Sequence, residues 1–251
     1  MSLKKNPPRV LRFESLDSTN EEALRQLASG AEGGLWIVAG EQTKGRGRGG
    51  RPWQSPKGNL YASLLLKLKI SATVATQLSF VAALAAHEAI SMELSAAQIL
   101  GLRLKWPNDV MLDGAKIAGI LIESLGAPDG KALAAIVGIG INVSVAPAIS
   151  GRAAGALGSE PAACERTFQA LATTFAAWLS RWDEGRGFPE IRKAWLALAH
   201  APGEPISVNL NGASIQGKFY GVGEGGALQL ETSPGIVITV NAGDIYPSLR
   251  D

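Results

Sequence analysis

The sequence contains one cysteine among 251 residues, Cys164, so no disulfide can form within the chain. Such scarcity of cysteine is typical of proteins in a reducing compartment, and we expect a cytoplasmic location. Residues 1–12 are polar and basic and include no apolar segment. We therefore expect no signal peptide.

Long apolar runs and an excess of one charge are also absent. Two uncharged stretches, 70–87 and 132–151, are interrupted by polar residues, glycine or proline, and are predicted to be buried elements instead of membrane spans. Lys and Arg number 24 against 22 Asp and Glu, which gives a net charge of +2. This balance does not indicate a broad nucleic-acid surface, and we expect neither DNA nor a membrane as partner.

Several kinds of catalytic group are missing. The sequence has no close Ser/His/Asp set, no His/Cys metal cluster, no obvious carboxylate pair and no Walker A pattern. Gly45, Gly47 and Gly50 match the dinucleotide fingerprint only formally, because Pro52 follows where a helix should begin. What remains favours an enzyme that stabilises a developing anion, as in phosphoryl or nucleotidyl transfer.

The most informative stretch present is Lys44-Gly-Arg-Gly-Arg-Gly-Gly-Arg-Pro-Trp53. From Lys44 to Lys57, both included, there are five basic residues and no acidic one. Glycine lets a backbone approach a ligand closely, and arginine suits bidentate recognition of oxyanions. The alternative is a flexible, solvated basic loop, since charge runs are usually solvated.

The periodicity of apolar residues predicts an α+β fold. Strands are expected at 10–13, 35–39, 59–66, 102–105 and 131–143, together with a hairpin at 110–123 that turns at Asp113-Gly114. Helices are expected from a capping box at Thr19 and Glu22 to about Ser29, and at 74–94, 161–181 and 188–199. Residues 145–159 are rich in alanine and glycine and are predicted to form a mobile loop.

A domain boundary is predicted at Ala201-Pro202-Gly203, after which short strands are expected with turns at 211–212, 223–226 and 233–235. This pattern indicates a small all-β barrel. The chain should therefore divide into a catalytic domain, 1–201, and a C-terminal domain, 202–251.

Polar clusters fall where predicted strands or helices end, as in a cleft: Ser18 to Asn20, Gln42 with the arginine loop, Lys105 to Asp109, and Lys116. Four stretches then resemble motifs of bacterial biotin protein ligases, namely residues 45–51, 105–109, 116–121 and 138–142. The resemblance extends over nearly the whole chain, in order. It implies a catalytic domain like that of class II aminoacyl-tRNA synthetases, with a mixed sheet and flanking helices, and then a small SH3-like barrel.

The resemblance implies two reactions. Biotin and ATP, with Mg²⁺, give biotinyl-5′-adenylate, and a lysine of a biotin carboxyl carrier protein then accepts the biotinyl group. The enzyme would be a monomer or homodimer. Few residues precede the first predicted strand, so we expect no operator-binding domain.

The resemblance also assigns residues. The biotin-binding set is Ser18, Thr19, Asn20, Gln42, Gly45, Arg46, Gly47, Arg48, Lys116 and Gly119. The nucleotide-binding set is Arg48, Arg51, Trp53, Asn108 and Asn142. Arg46, Arg48, Lys116 and Asp109 are expected to be catalytic, and Asp109 would orient Mg²⁺ or the acceptor lysine. The glycine loop is expected to be mobile when empty and to close over the adenylate, which would keep water from it.

Two alternatives remain open. A lipoate-protein ligase shares the fold and the adenylate chemistry, although the arginine loop and Lys105-Trp-Pro-Asn-Asp109 favour biotin. A non-enzymatic RNA binder would need a broad basic or aromatic stripe. Residues 203–251 disfavour this alternative, because the segment contains two basic residues, Lys218 and Arg250, and five acidic ones.

Overall fold

A computed structural model describes residues 9–126, 133–148, 153–158, 160, 162–210, 213–241 and 244–247. A seven-stranded mixed sheet forms its larger part, in the order β1-β2-β3-β7-β6-β5-β4. The strands are β1 Arg9–Leu16, β2 Leu35–Gln42, β3 Leu60–Leu68, β4 Leu102–Lys105, β5 Asp109–Leu112, β6 Ala115–Gly126 and β7 Leu133–Ile141. Only the β1–β2 pair of this sheet is parallel.

Helices cover both faces of the sheet. They are α1 Thr19–Ala28, α2 Ala72–Ala75, α3 Leu78–Ser91, α4 Ala96–Ile99, α5 Ala163–Trp182 and α6 Phe188–Ala197. Alternate residues of β2 explain the two layers, because successive side chains of a strand point to opposite faces. Trp36 belongs to the large core, which includes residues of α3, α5 and α6, whereas Leu35 and Ile37 pack with Ala23 of α1.

The single long helix predicted at 74–94 is wrong. The segment forms two helices, because Ser71 caps α2 and the chain turns at Gln77 before α3 begins. Among the described residues, 72–91 is the one stretch long and apolar enough to cross a membrane, and 67% of its most apolar part is buried inside the protein. Burial of this kind is that of a core helix, as the sequence predicts.

A second sheet follows α6. Its five antiparallel strands, in the order β11-β10-β9-β8-β12, are β8 Pro205–Leu210, β9 Ala213–Val222, β10 Leu228–Ser233, β11 Ile236–Val240 and β12 Asp244–Pro247. The turns predicted at 223–226 and 233–235 are confirmed, whereas the turn at 211–212 lies outside the described residues. The α+β class is confirmed, and the SH3-like form of this sheet stays a prediction.

The two sheets share one core. Phe219 and Leu228 of the second sheet belong to the same buried cluster as the main core. Trp106, which follows β4, donates a hydrogen bond from its indole Nε1 to the Gly226 carbonyl at 3.0 Å. This contact brings the 225–227 turn beside the end of β4, close to the cavity described next.

Candidate active site

A cavity of about 290 Å³ opens between the start of α1, the glycine loop and the middle of β6 and β7. All but two of the predicted site residues line it: Ser18, Thr19, Asn20, Gln42, Arg46, Gly47, Arg48, Arg51, Trp53, Asn108, Asp109, Lys116 and Gly119. Residues separated by up to about a hundred positions in the chain therefore meet at one place because the sheet order brings β2, β3, β7, β6 and β5 side by side.

The two predicted residues outside the lining support it from behind. A Cβ on Gly45 would lie 2.3 Å from the Trp53 carbonyl oxygen, so only glycine fits at this first position of the loop. Asn142 is 1% exposed and donates from Nδ2 to the Gly155 carbonyl at 2.9 Å. Its buried Oδ1 has no hydrogen-bond partner among the described residues.

The start of α1 is tied to the end of β2 instead of being capped by its own side chains. Ser18 is the N-cap residue and makes no side-chain capping bond, so the predicted capping box of Thr19 and Glu22 is wrong. The Thr19 amide and hydroxyl both donate to Gln42 Oε1, at 2.8 and 3.1 Å. The side chain of Gln42 replaces the cap and holds the polar groups of α1 at the cavity wall.

Ser63 on β3 completes this polar cluster, and sequence reasoning missed it. Its buried Oγ lies 2.7 Å from Thr19 Oγ1 and 2.6 Å from Asn20 Oδ1. Asn20 also packs on Gly138, where a Cβ would come within 2.3 Å of Oδ1. The only sequence indication is one polar residue inside an otherwise apolar strand, 60–66.

The indole of Trp53 covers the floor of the cavity. It rests on the backbone of Gly119 and Gly140, and Lys116 Nζ lies 5.1 Å from the ring centroid. An ammonium at this distance is attracted by the face of the ring. Trp53 Nε1 is buried and has no hydrogen-bond partner among the described residues. A donor without a partner at the cavity floor suits a ligand that brings an acceptor.

Asp109 lies between two lysines. Its Oδ2 is 3.2 Å from Lys105 Nζ, and its Oδ1 pairs with Lys116 Nζ. The Asp109 side chain is 9% exposed and each lysine side chain 18%. The trio carries a net charge of +1 in a partly dehydrated place, where it favours an anion.

Arg46 is also paired, in this case with two acids. Its Nη2 lies 2.6 Å from Glu21 Oε1 and 3.1 Å from Glu123 Oε1. The glycine loop closes on itself behind Arg46, because Gly47 N donates to the Arg51 carbonyl at 2.7 Å and Trp53 N to the Gly45 carbonyl at 2.9 Å. Residues 48–50 form a short 3-10 turn.

The segment predicted as a second mobile loop is partly anchored. Lys116 exchanges backbone hydrogen bonds with Ala153 and Gly155, both at 2.9 Å, and Leu157 N donates to the Asn142 carbonyl at 3.0 Å. Residues 149–152 and 159 lie outside the described residues. The described part borders the cavity at Ala153.

The arrangement suits binding of an anion better than binding of a metal ion. Arginines and Lys116 line the cavity together with one acid, Asp109. No group of three or more His, Cys, Asp or Glu residues that could hold a metal occurs in the described parts of the chain. Asp109 is held between two ammonium groups, which disfavours it as a magnesium ligand.

This fold is that of a protein ligase family. Residues 12–142 match the Biotin/lipoate A/B protein ligase family, and the chain belongs to it. Residues 203–246 match the Biotin protein ligase C terminal domain.

Relatives of this chain carry biotin ligase names. The chain is 44% identical over 229 residues to the biotin–acetyl-CoA-carboxylase ligase of Paracoccus denitrificans, covering 87% of this chain and 92% of that one. It is 32% identical over 238 residues to the corresponding ligase of Mycobacterium tuberculosis, covering 91% of this chain and 85% of that one. Among solved structures, the biotin protein ligase of Aquifex aeolicus in complex with biotin and ATP superposes with a TM-score of 0.76 at 28% identity, covering 95% and 97%.

Proposed function

We propose that this chain is a biotin protein ligase that forms biotinyl-5′-adenylate from biotin and ATP and then transfers biotin to a lysine of a biotin carboxyl carrier protein. One observation carries the proposal. The cavity joins neutral hydrogen-bonding groups at the start of α1 and on β2 to a cluster of cations on β6 and the glycine loop. This separation of neutral and cationic groups suits a ligand that has a polar, uncharged ring at one end and, at the other, a carboxylate that becomes joined to a phosphate.

The neutral end would hold the biotin ring. Ser18, Thr19, Asn20 and Gln42 offer hydroxyl, amide and backbone groups there, and their mutual hydrogen bonds fix their orientation. Because these hydrogen bonds already exist without the ligand, little side-chain entropy is lost when the ligand binds. Gly45, Gly47 and Gly119 would keep the wall thin enough for the ring and its chain to pass.

The cationic end would bind the reacting groups. In adenylation the biotin carboxylate is itself the nucleophile, it attacks the α-phosphorus, and pyrophosphate leaves. The protein therefore needs to supply charge and not a nucleophile. Lys116 lies on the hairpin strand β6, and Arg48 and Arg51 line the same cavity. These three would stabilise the negative charge that builds on the phosphate.

The nucleotide would lie against Trp53, with Asn108 beside it and Asn142 behind. The unpartnered Nε1 of Trp53 would donate to the nucleotide, whereas Asn142, which lies outside the lining, would support the wall through its bond to the Gly155 carbonyl. Mg²⁺ would be held by the oxygens of the triphosphate, since Asp109 is already paired with Lys105 and Lys116. Asp109 would act instead by orienting Lys116 and the incoming acceptor lysine.

The acceptor lysine would approach from a second cavity. That cavity encloses about 590 Å³ between α2, the end of β4 and the 225–227 turn, and shares Arg48, Asn108 and Ile120 with the first. Because the two spaces adjoin, an amine entering through the second can reach a carbonyl carbon in the first. The C-terminal domain, 202–251, would then contribute to docking of the carrier.

We further propose a catalytic domain of residues 1–201, a cytoplasmic location, and no DNA or membrane partner. The single cysteine supports the location, and the balanced charge supports the absence of those partners. A lipoate-protein ligase is the second candidate, because the family includes both activities. The relatives named above are biotin ligases, which favours biotin.

The test is pyrophosphate exchange into ATP with biotin or with lipoate, followed by transfer to a carrier domain. Biotin should support exchange, and lipoate should not. Isothermal titration with each acid provides an independent measure of binding. Exchange with lipoate alone would contradict the proposal.

A further inference from the structure

A carboxylate behind the cavity joins two of its walls. Glu123 lies on β6 and is not among the lining residues. Its Oε2 accepts a hydrogen bond from Asn20 Nδ2 at 2.7 Å, and its two oxygens accept from Arg46 Nη2 at 3.1 and 3.2 Å. Asn20 belongs to the start of α1, and Arg46 belongs to the glycine loop. One acid therefore links the ring side of the cavity to the loop.

The charge of Arg46 is balanced by this contact. Glu21 Oε1 lies 2.6 Å from the same Nη2, so two carboxylates surround one guanidinium. The side chains of Arg46, Glu21 and Glu123 are 38%, 36% and 28% exposed, so that solvent screens them only in part. Arg46 can thus hold its position without an anionic ligand, and its loop is held with it.

We propose that Glu123 is a positioning residue that fixes the glycine loop, residues 45–51, over the cavity through Arg46 and couples the loop to Asn20. Arg46 then acts as the anchor of the loop. The identity of the ligand rests on the proposed function, whereas the link between loop and strand does not. Loss of the carboxylate charge loosens the loop in the ligand-free protein and shortens retention of the adenylate.

Hydrogen exchange of the ligand-free protein tests the link without any activity. Glu123→Gln keeps an acceptor for Asn20 and removes one of the two carboxylate charges that hold Arg46, the other being that of Glu21. We expect the amides of 45–51 to exchange roughly fivefold faster in this variant, the factor set by a partly exposed ion pair. Glu165→Gln is the matched control, since it breaks an exposed pair with Arg12 of 2.8 Å elsewhere on the surface and should leave the loop unchanged.

A double-mutant cycle then shows whether the carboxylate acts through Arg46. Glu123→Gln and Arg46→Gln should each speed escape of biotinyl-5′-adenylate, and the double variant should be no faster than Arg46→Gln alone. Glu123→Asp should restore part of the retention. A merely structural loss of stability would instead add to the effect of the arginine variant.

The inference would be overturned if the amides of 45–51 exchanged hydrogen at the wild-type rate in both Glu123→Gln and Arg46→Gln. Additive effects of the two changes on adenylate escape would overturn it as well. If Glu123→Gln does not fold, Arg46→Gln breaks the same pair from the loop side together with the pair to Glu21. Glu21→Gln then separates the two carboxylates: the inference holds if Arg46→Gln speeds exchange of the loop amides more than Glu21→Gln does, and fails if the two variants are equal. If the wild type shows no biotin-dependent pyrophosphate exchange, the proposed function fails. The hydrogen-exchange experiment on the ligand-free protein still tests the role of Glu123 in that case.

Discussion

Gly119 on β6 lies directly opposite Gly140 on β7, and the indole of Trp53 covers both. A Cβ on Gly119 would lie 3.0 Å from Trp53 Cζ3, and one on Gly140 would lie 2.6 Å from Trp53 Nε1. Two missing side chains on paired strands thus form a shelf for an aromatic ring. The resemblance to ligase motifs assigned Gly119 to the site. The contact of Gly140 with Trp53 could not be predicted in the same way, because it depends on the register of β6 and β7.

Gly140→Ala should displace the Trp53 ring and distort the cavity floor. Overpacking of this kind costs about 1–3 kcal/mol. We expect kcat/KM for biotin-dependent pyrophosphate exchange to fall about tenfold or more, equivalent to about 1.4 kcal/mol. Gly126→Ala, at the end of β6, is the control because nothing lies within 4 Å of its Cβ, and its activity should match the wild type. Equal activity of the two variants would contradict the shelf.

Asp109→Asn should destabilise the protein, since it leaves Lys105 and Lys116 close together without their shared counter-ion. Removal of one partner of a nearly buried ion pair costs about 3 kcal/mol. Urea denaturation measures the free energy of unfolding. Asp113→Asn is the matched control on the same hairpin, because residue 113 is exposed at a φ of 49° that asparagine tolerates. A loss no larger than that of the control would mean that the lysines do not need Asp109.

Burial lowers the pKa of His87, which is 8% exposed on α3. A histidine whose pKa is lower in the folded state binds fewer protons there than when unfolded. Its contribution to stability is therefore complete above the unfolded pKa of about 6.5 and is lost as the pH falls below that value. Between pH 7.5 and 5.5 we expect up to about 1 kcal/mol of the free energy of unfolding to disappear.

Replacement of His87 identifies the source of that loss. His87→Gln should flatten the dependence of the free energy of unfolding on pH over this range, as measured by urea denaturation at several pH values. His200→Gln removes the other histidine and should keep the slope due to His87. A slope that survives His87→Gln intact would show that another group titrates.

The elements that local patterns predicted best are those whose cause is local. The hairpin turn is one example: Asp113 and Gly114 both have positive φ, 49° and 77°, as the Asp-Gly pair suggested. The helix α4 was missed although Ser95 and Gln98 form a capping box with a readable spacing. Its shortness, Ala96–Ile99, is the reason, since apolar periodicity needs more than one turn.

Long-range contacts explain the errors and the missed residues. The pattern of Thr19 and Glu22 is that of a capping box, but Gln42 competes for Thr19 from another strand and wins. Ser63 and Glu123 reach the site only because β3, β7 and β6 are neighbours in the sheet. The order and register of these strands cannot be read from the positions of the residues in the sequence. The cationic motifs could be found because their composition is unusual in any fold.

Ser63→Ala tests the residue that sequence reasoning missed. The change removes a buried hydroxyl between Thr19 and Asn20, and both should lose their fixed orientation toward the ligand. A buried hydrogen bond contributes about 1 kcal/mol, so biotin affinity measured by isothermal titration should fall roughly fivefold. Thr174→Val is the matched control, because it removes a buried hydroxyl that bonds the Ala85 carbonyl at 2.9 Å within the core. Both variants should lose similar stability in urea, but only Ser63→Ala should bind biotin more weakly. If Thr174→Val weakens binding equally, the effect comes from general loosening of the fold, and Ser63 has no particular part in holding the ring.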